Sequence, residues 1–215
     1  MDKKKLLEAI KKVRENSKKR NFVQSVDMII ALKGVDLKKP EDRVSVVVAL
    51  PHGKGKKPKV CALVDKSLIV QAKEVFDKAI VKDEFKDIKP KEAKKIVEDY
   101  DYFVAQATIM SDIASTFGKY LGPKGKMPDP KLGLIITPKT DLKALKERLG
   151  KVLRLRIKKN PVLSGMIGVE TMSDEELADN ALAVYNAVEK ALPRGKQQIG
   201  KVYLKTTMGK PVVVE

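Results

Sequence analysis

The chain has little of what most enzymes and secreted proteins rely on. Its 215 residues include one cysteine, one histidine and no tryptophan, and aromatic residues make up 5% of the total. A single cysteine excludes an intramolecular disulfide framework and suggests a reducing compartment. One cysteine and one histidine cannot form a zinc site built from these residue types alone. The few aromatic rings argue against a sheet on which nucleotide bases stack.

Long apolar runs and glycine-rich phosphate motifs are also absent. Every apolar stretch is interrupted within about a dozen residues, which is too short for a membrane-spanning helix. The lysine-rich beginning of the chain does not look like a secretory signal. Neither G-x-x-x-x-G-K-[ST] nor G-x-G-x-x-G occurs, and the nearest match, GPKGK at 122–126, lacks the first glycine and the final hydroxyl residue. We therefore expect no membrane partner, no metal and no cofactor.

What the chain has in excess is positive charge. It carries 45 Lys and Arg against 28 Asp and Glu, a formal net charge of +17, and its isoelectric point is near 9.7. Such an excess indicates a polyanionic partner, nucleic acid before membrane, because clustered cations gain free energy by releasing counterions. With 43% apolar residues the chain is expected to fold.

The two ends of the chain have one pattern and the middle has another. At the ends we predict a helix over 2–17, strands over 21–32, 44–50, 151–157, 164–170 and 201–208, a short strand at 212–214, and a helix after Ser173, which forms a capping box with Glu176. The loop 51–59 reads as a linker. In the middle, apolar strands at 60–64, 79–81, 102–107 and 132–136 alternate with helices near 67–77, 91–98 and 109–120, which favours a parallel sheet.

Charge follows the same partition. Residues 1–59 hold 17 basic and 7 acidic side chains, residues 60–150 hold 17 and 14, and residues 151–215 hold 11 and 7. The sequence thus predicts one domain made of 1–59 plus 151–215, which carries most of the net charge, and an inserted domain of 60–150. The polyanion should bind mainly to the first.

Catalytic candidates are few. His52 stands alone in a loop, and Cys61 lies inside the apolar run VCALV, where an inert core residue is expected.

Polar residues within predicted strands are better candidates for a binding surface. Ser25 and Asp27 share one face of the strand NFVQSVDM, and Phe22 and Gln24 share the other. The strand 201–208 ends in TTMG, where Thr hydroxyls and a close approach at Gly209 suit RNA contacts, and a strand followed by a turn is the alternative.

The chain resembles the L-one family of large-subunit ribosomal proteins. The runs NFVQSVDM, LPHGKGK, LGPKGKMPDP, SDEELADN and TTMGKP occur in the family's order and span nearly the whole chain. The length is similar to that of the archaeal branch. The resemblance implies a mixed α/β fold, with a discontinuous α/β sandwich domain from both chain ends and an inserted Rossmann-like three-layer α/β domain.

The resemblance also implies a function. The family binds folded large-subunit rRNA, forms the mobile lateral stalk near the tRNA exit site, and in many members represses translation of its own mRNA. The expected partners are therefore large-subunit rRNA, the leader or coding region of the chain's own mRNA, and exit-site tRNA. We expect a cytoplasmic, ribosomal protein without enzymatic activity, monomeric when free.

Carried over position by position, the resemblance implies a set of RNA contacts. They are Asn21, Phe22, Gln24, Ser25 and Asp27 in the first strand, Thr206, Thr207, Met208 and Gly209 at the end of the last strand, and Lys158 and Lys159 as phosphate contacts. A secondary contact loop is implied at Gly122, Lys124, Gly125 and Lys126, where a structural turn is the alternative. In the family a proline follows the last glycine directly, whereas here Lys210 precedes Pro211.

One alternative belongs to a different class. A Rossmann-like insert is compatible with a nucleotide-dependent enzyme, but both glycine-rich phosphate motifs are missing. Stabilisation by nucleotide in a thermal shift assay would distinguish this enzyme from an RNA-binding protein.

Overall fold

The computed structural model describes residues 1–36, 39, 44–138, 140–157 and 160–214. The chain divides into two compact units. Unit 1 consists of residues 1–56 and 150–215, and unit 2 of residues 57–149. The sequence boundaries at 59/60 and 150/151 differ from these by at most three residues. Both units combine helices and sheets, so the predicted α/β class is confirmed.

Unit 1 has a four-stranded antiparallel sheet and a two-stranded one. Its helices are α1 (Lys3–Glu15) and α6 (Asp174–Ala191), and its strands are β1 (Ser25–Leu32), β2 (Ser45–Ala49), β7 (Val152–Arg156), β8 (Val162–Val169), β9 (Ile199–Thr206) and β10 (Val212–Val213). The larger sheet has the order β10-β9-β1-β8, and β2 pairs with β7. Asp2 caps α1, and the predicted Ser173–Glu176 capping box begins α6.

The core of unit 1 lies on one face of the larger sheet. Alternation in β1 buries Val26, Met28, Ile30 and Leu32 and leaves Ser25, Asp27, Ile29 and Ala31 on the other face. The buried side chains pack with those of both helices, which include Leu6, Ile10, Val13, Leu177, Val184, Tyr185 and Val188. One face of the larger sheet is therefore committed to the core, and the face carrying Ser25 and Asp27 is only partly covered.

Unit 2 is built around a parallel sheet. Its elements are β3 (Val60–Val64), α2 (Ile69–Val75), β4 (Lys78–Val81), α3 (Pro90–Asp99), β5 (Tyr102–Gln106), α4 (Met110–Lys124), β6 (Ile135–Ile136) and α5 (Leu142–Lys151), whose last residues reach unit 1. The strand order is β4-β3-β5-β6, and each pair is parallel. All five residues of β3 are buried, as expected for a strand covered on both faces.

Several predicted boundaries are wrong. The first strand, β1, begins at Ser25 rather than at 21, and β9 ends at Thr206 rather than at 208. The loop predicted after residue 120 is partly helix, because α4 continues to Lys124 and includes Pro123. The helix α5 had no counterpart in the prediction.

The segment predicted as a linker after β2 is held by unit 1. The His52 N–H donates to Asn180 Oδ1 at 3.1 Å, and Asn180 Nδ2 donates to the Gly53 carbonyl at 2.8 Å. The Lys54 N–H donates to the Gly150 carbonyl at 3.2 Å. Residues 52–54 are thus anchored, and only the stretch after them resembles a linker. In the described ranges, no helix combines the length and apolar character needed to cross a bilayer.

Candidate nucleic-acid interface

The first and last predicted contact segments meet at one end of the larger sheet of unit 1. The Ser25 N–H donates to Thr207 Oγ1 at 3.0 Å, and the Thr207 N–H donates to the Ser25 carbonyl at 3.0 Å. Their two hydroxyl oxygens are also 3.0 Å apart. We call this region the strand-end surface, formed by Phe22, Ser25, Asp27, Thr207, Met208 and Gly209. Segments some 180 residues apart in sequence are therefore joined directly.

The turn at 207–209 directs its N–H groups inward. The Thr207 N–H bonds to Ser25, the Met208 N–H donates to Gln24 Oε1 at 3.2 Å, and the Gly209 N–H donates to the Thr206 carbonyl at 3.2 Å. No described residue donates to the carbonyl oxygens of Thr207, Met208 or Gly209. These carbonyls are thus available as hydrogen-bond acceptors, in a turn whose Thr207 and Met208 are exposed. The N–H groups of Thr207, Met208 and Gly209 are therefore not available to a ligand in this geometry.

The strand-end surface includes exposed apolar side chains. Phe22 is 51% exposed and Met208 is 62% exposed, and both are large apolar residues. Asn21 is exposed beside Phe22. Met208 lies beyond the end of β9 at Thr206, so the alternation of that strand does not bury it. An apolar rim around polar groups is suited to a partner that buries both kinds of group.

Asp27 contributes a carboxylate to the same face. It lies opposite Lys205 of β9 and Met166 of β8 in the sheet register. Burial raises the pKa of the Asp27 carboxyl above its ordinary value, and the positive charge of Lys205 partly opposes that rise. A partly desolvated carboxylate repels phosphate, so its value to a polyanion lies in accepting hydrogen bonds.

Two of the predicted contacts have buried side chains. Gln24 is 1% exposed and Thr206 is 1% exposed. The Thr206 hydroxyl lies 3.0 Å from the hydroxyl of Ser17. Period-2 alternation predicted that Gln24 and Phe22 share a face, and this is wrong because both precede β1. Neither Gln24 nor Thr206 reaches the surface, so any contribution to binding passes through their neighbours.

Cations stand next to the strand-end surface. Lys18, Lys19 and Arg20 are exposed just before Asn21, and Lys210 is exposed just after Gly209. None of these four forms an ion pair with another residue of the described ranges. Unpaired surface cations beside a polar surface are suited to phosphate. The predicted phosphate contacts Lys158 and Lys159 lie outside the described residues.

The predicted secondary contact loop is largely engaged inside unit 2. Lys126 Nζ donates to the carbonyl oxygens of Val97 at 2.7 Å and Tyr100 at 2.6 Å, at the C-terminal end of α3. A cation there satisfies carbonyls that the helix leaves unpaired. Burial lowers the pKa of the Lys126 ammonium. Lys124 pairs with Glu98 at 2.8 Å. Gly125 ends α4 with φ of 68°, a conformation that favours glycine.

We expect Lys126→Ala to lower the stability of unit 2 and leave RNA affinity unchanged. The substitution removes two hydrogen bonds from a charged donor to the end of α3, at a cost of roughly 1–2 kcal/mol in the free energy of unfolding. Thermal unfolding and RNA binding of the same variant provide the measurement. A lower affinity for RNA without a loss of stability would make the loop a contact after all.

The two catalytic candidates, Cys61 and His52, lie in surroundings that do not indicate catalysis. Cys61 is fully buried in β3, and burial raises the pKa of its thiol to about 12. His52 Nε2 lies 3.4 Å from Asp179 Oδ2 at the surface. Within the described ranges, no three His, Cys, Asp or Glu residues come together as metal ligands. The predicted surroundings of Cys61 and His52, a core and a loop, are confirmed.

Two residues that support the strand-end surface were not predicted from the sequence. Ser17 and Glu170 both bond to Gln24, at 3.0 Å through Ser17 Oγ and at 2.9 Å through Glu170 Oε1 and the Gln24 N–H. Glu170 lies 146 residues from Gln24 in the chain. No local pattern of residues indicates a contact over such a distance.

Known proteins resemble the chain over nearly its entire length. The model of the ribosomal protein L1p/L10e family matches residues 10–210. The large ribosomal subunit protein uL1 of Thermococcus kodakarensis is 43% identical, with 100% of this chain and 98% of that protein covered. The uL1 proteins of Methanothermococcus thermolithotrophicus and Thermofilum pendens are 40% and 45% identical, over 100% and 97% of this chain and 100% and 92% of their own lengths.

These relatives confirm the resemblance to the family that the TTMG and GPKGKMP runs indicated, and to its archaeal branch, which the length of the chain indicated. The matched region includes parts of both units and the whole strand-end surface. The chain belongs to the ribosomal protein L1p/L10e family.

Proposed function

We propose that the chain is a structural protein of the large ribosomal subunit that binds folded rRNA through the strand-end surface of unit 1. The observation that carries the proposal is the meeting of Ser25 and Thr207 beside four unpaired cations. A polar, shape-defined surface next to free positive charge suits an RNA that is read by its shape and held by its phosphates. Family membership and the net charge of +17 agree with it.

The hydrogen-bond acceptors of the strand-end surface limit which groups of an RNA can bind there. The carbonyls of the turn and the carboxylate of Asp27 only accept hydrogen bonds, and the hydroxyls of Ser25 and Thr207 can also accept. Phosphate oxygens of RNA are acceptors too, so they are poor partners for this turn. The complementary donors on RNA are 2′-hydroxyls and base amino groups. We infer that the surface reads these donors, while Lys18, Lys19, Arg20 and Lys210 contact phosphates.

The proposal includes the finer functions of the family. It places the protein in the lateral stalk near the exit-site tRNA and in the ribosomes of the cytoplasm. It includes repression of translation through a similar structure in the protein's own mRNA, a monomeric free state, and no catalytic activity. These functions follow from the resemblance, and the exposed acceptors and cations of unit 1 support them as one RNA-binding surface used for several RNAs.

Thr207→Ala tests the proposal most simply. The substitution leaves the Ser25 N–H without its acceptor and removes a surface hydroxyl, so we expect a loss of about 1–3 kcal/mol in cognate binding, which is roughly 5- to 150-fold in Kd. The slope of log Kd against log salt should not change, because no charge is lost. Filter binding to cognate and scrambled rRNA fragments across a salt series measures both quantities.

The matched control is Thr207→Ser, which keeps the hydroxyl and should bind within a few-fold of wild type. Arg20→Ala provides the opposite pattern, with weaker binding to every RNA and a salt slope reduced by about one unit or less. The proposal fails if Thr207→Ala binds cognate rRNA as wild type does, or if it loses cognate and scrambled RNA equally.

A further inference from the structure

A buried amide lies directly beneath the turn of the strand-end surface. Gln24 Oε1 accepts the Met208 N–H at 3.2 Å. Gln24 Nε2 lies within donating distance of Ser17 Oγ at 3.0 Å, the Lys18 carbonyl at 3.2 Å and Glu170 Oε2 at 3.3 Å. One side chain therefore connects the turn to the segment before β1 and to the end of β8.

Glu170 holds this amide in one orientation. Its Oε1 accepts the Gln24 N–H at 2.9 Å, and its own N–H donates to the Gln24 carbonyl at 2.9 Å. The Glu170 carbonyl in turn accepts Arg14 Nη1 at 2.6 Å, and Arg14 also donates to Asp174 at 2.7 Å. The carboxylate accepts only, so it requires the Nε2 side of Gln24 and leaves the Oε1 side for Met208.

Ser17 completes the connection. Its hydroxyl oxygen lies 3.0 Å from Gln24 Nε2 and 3.0 Å from Thr206 Oγ1. Thr206 is thus bonded to Ser17 and Met208 to Gln24, and these two side chains are bonded to each other. A turn with fixed N–H directions has fixed carbonyl directions as well, because both belong to planar peptide units.

We propose that Gln24, oriented by Glu170 and Ser17, is a positioning residue that fixes the acceptors of the 207–209 turn for RNA. This inference rests on the proposed function for the identity of the ligand. Gln24 does not touch the RNA. It holds the Met208 N–H inward, so that the Thr207 carbonyl of the same peptide unit points outward in the free protein. The Met208 carbonyl belongs to the next peptide unit, whose Gly209 N–H bonds to the Thr206 carbonyl. Specific binding then avoids the entropic cost of ordering the turn.

The variant that tests the proposal is Gln24→Met, which keeps the length of the side chain and removes its polar atoms. We expect cognate rRNA binding to weaken about tenfold or more. Scrambled RNA binding and the salt slope should stay as in wild type, because the cations are untouched. Hydrogen exchange of the Met208 amide, measured by NMR without RNA, should accelerate at least tenfold, since its acceptor is gone.

A second experiment exchanges the hydrogen-bond donor and acceptor between positions 24 and 170. Gln24→Glu alone places a second carboxylate about 3.3 Å from that of Glu170, so we expect it to bind cognate rRNA at least as poorly as Gln24→Met. Glu170→Gln in the same chain returns a donor to the pair and retains the acceptor for Met208. The double variant should recover most of the lost affinity and most of the Met208 protection.

Asn180→Ala is the matched control for stability. Asn180 is also a fully buried amide of unit 1, and it bonds to Gly53, Ile167 and His52 rather than to the turn. We expect it to lower the melting temperature as Gln24→Met does and to leave cognate affinity within twofold of wild type.

The outcomes separate the positioning role from the proposed function. If wild type binds cognate rRNA and Thr207→Ala weakens it, while Gln24→Met binds as wild type does, the positioning role is wrong and the RNA surface stands. If Gln24→Met and Asn180→Ala lose affinity equally, Gln24 acts only on stability, which also overturns the proposal. Unchanged exchange at Met208 in Gln24→Met rejects it without reference to RNA. If wild type shows no preference for cognate rRNA, the proposed function fails instead. Hydrogen exchange of the Met208 amide then tests by itself whether Gln24 fixes the turn.

Discussion

Gly209→Val is expected to abolish specific RNA binding, with a loss of at least about 100-fold in Kd, or ~2.7 kcal/mol. A Cβ atom at position 209 would lie 2.2 Å from Thr206 Oγ1. The Thr206 side chain cannot move away cheaply, because it is buried and bonded to Ser17. Either the Thr206 hydroxyl is pushed off its Ser17 partner, which destabilises the turn, or the turn opens and the carbonyls of Thr207 and Met208 leave their positions.

The comparison that isolates this effect uses a glycine with open space. A Cβ at Gly122 meets no atom within 4 Å apart from the backbone of its own helix and its chain neighbours, and Gly122 lies in the last turn of α4. Gly122→Ala should therefore keep or slightly raise stability and leave RNA binding unchanged. Electrophoretic mobility shift with the cognate rRNA fragment, together with circular dichroism, provides the measurement. Wild-type affinity in Gly209→Val would mean that the turn has no part in recognition.

The second large effect concerns the two units. We expect residues 1–56 joined to 150–215 to fold and to bind cognate rRNA within about threefold of the whole chain, and residues 57–149 alone to show no specific binding. All buried residues of the larger core cluster belong to unit 1, so deletion of unit 2 removes none of them. The Lys54 N–H bonds to the Gly150 carbonyl at 3.2 Å, so a short Gly/Ser linker can close the cut.

Calorimetry of both pieces with cognate and scrambled rRNA fragments checks this division. Net charge provides part of the reason, since the middle of the chain holds nearly balanced charges and the ends do not. The strand-end surface provides the rest, because every one of its residues lies in unit 1. Specific binding by residues 57–149, with none by the joined ends, would move the interface to unit 2.

The regular parts of this fold could be predicted from the sequence because their signals are local. Alternation in β1 placed Ser25 and Asp27 on one face, and the apolar run 60–64 identified a strand buried on both faces. The capping box at Ser173 gave the start of α6. In each case the residues that decide the structure lie within a few positions of one another.

The parts that failed depend on distant contacts. Gln24 is buried because Ser17 and Glu170 surround it, and period-2 alternation does not apply before the first residue of β1. Lys126 was predicted to contact RNA, yet its ammonium group bonds to the end of α3, some 26 residues earlier in the chain. The resemblance pointed to these segments, and the structure was needed to separate their exposed residues from their buried ones.

The single cysteine makes one direct test of the interface practical. Cys61 is fully buried and its thiol pKa is raised to about 12, so it is a poor target for alkylation in the folded protein. A cysteine introduced at the exposed position 210 by Lys210→Cys can therefore carry an iron chelate alone. Lys73→Cys, exposed on α2 of unit 2, carries the same probe as the control.

Hydroxyl-radical cleavage of the bound rRNA from these two positions tests the central claim that the RNA lies against the strand-end surface. We predict strong cleavage from position 210, confined to one folded region of the rRNA and lost with the added Gly209→Val substitution, and background cleavage from position 73. Equal cleavage from both positions, or cleavage from position 73 alone, would contradict the claim.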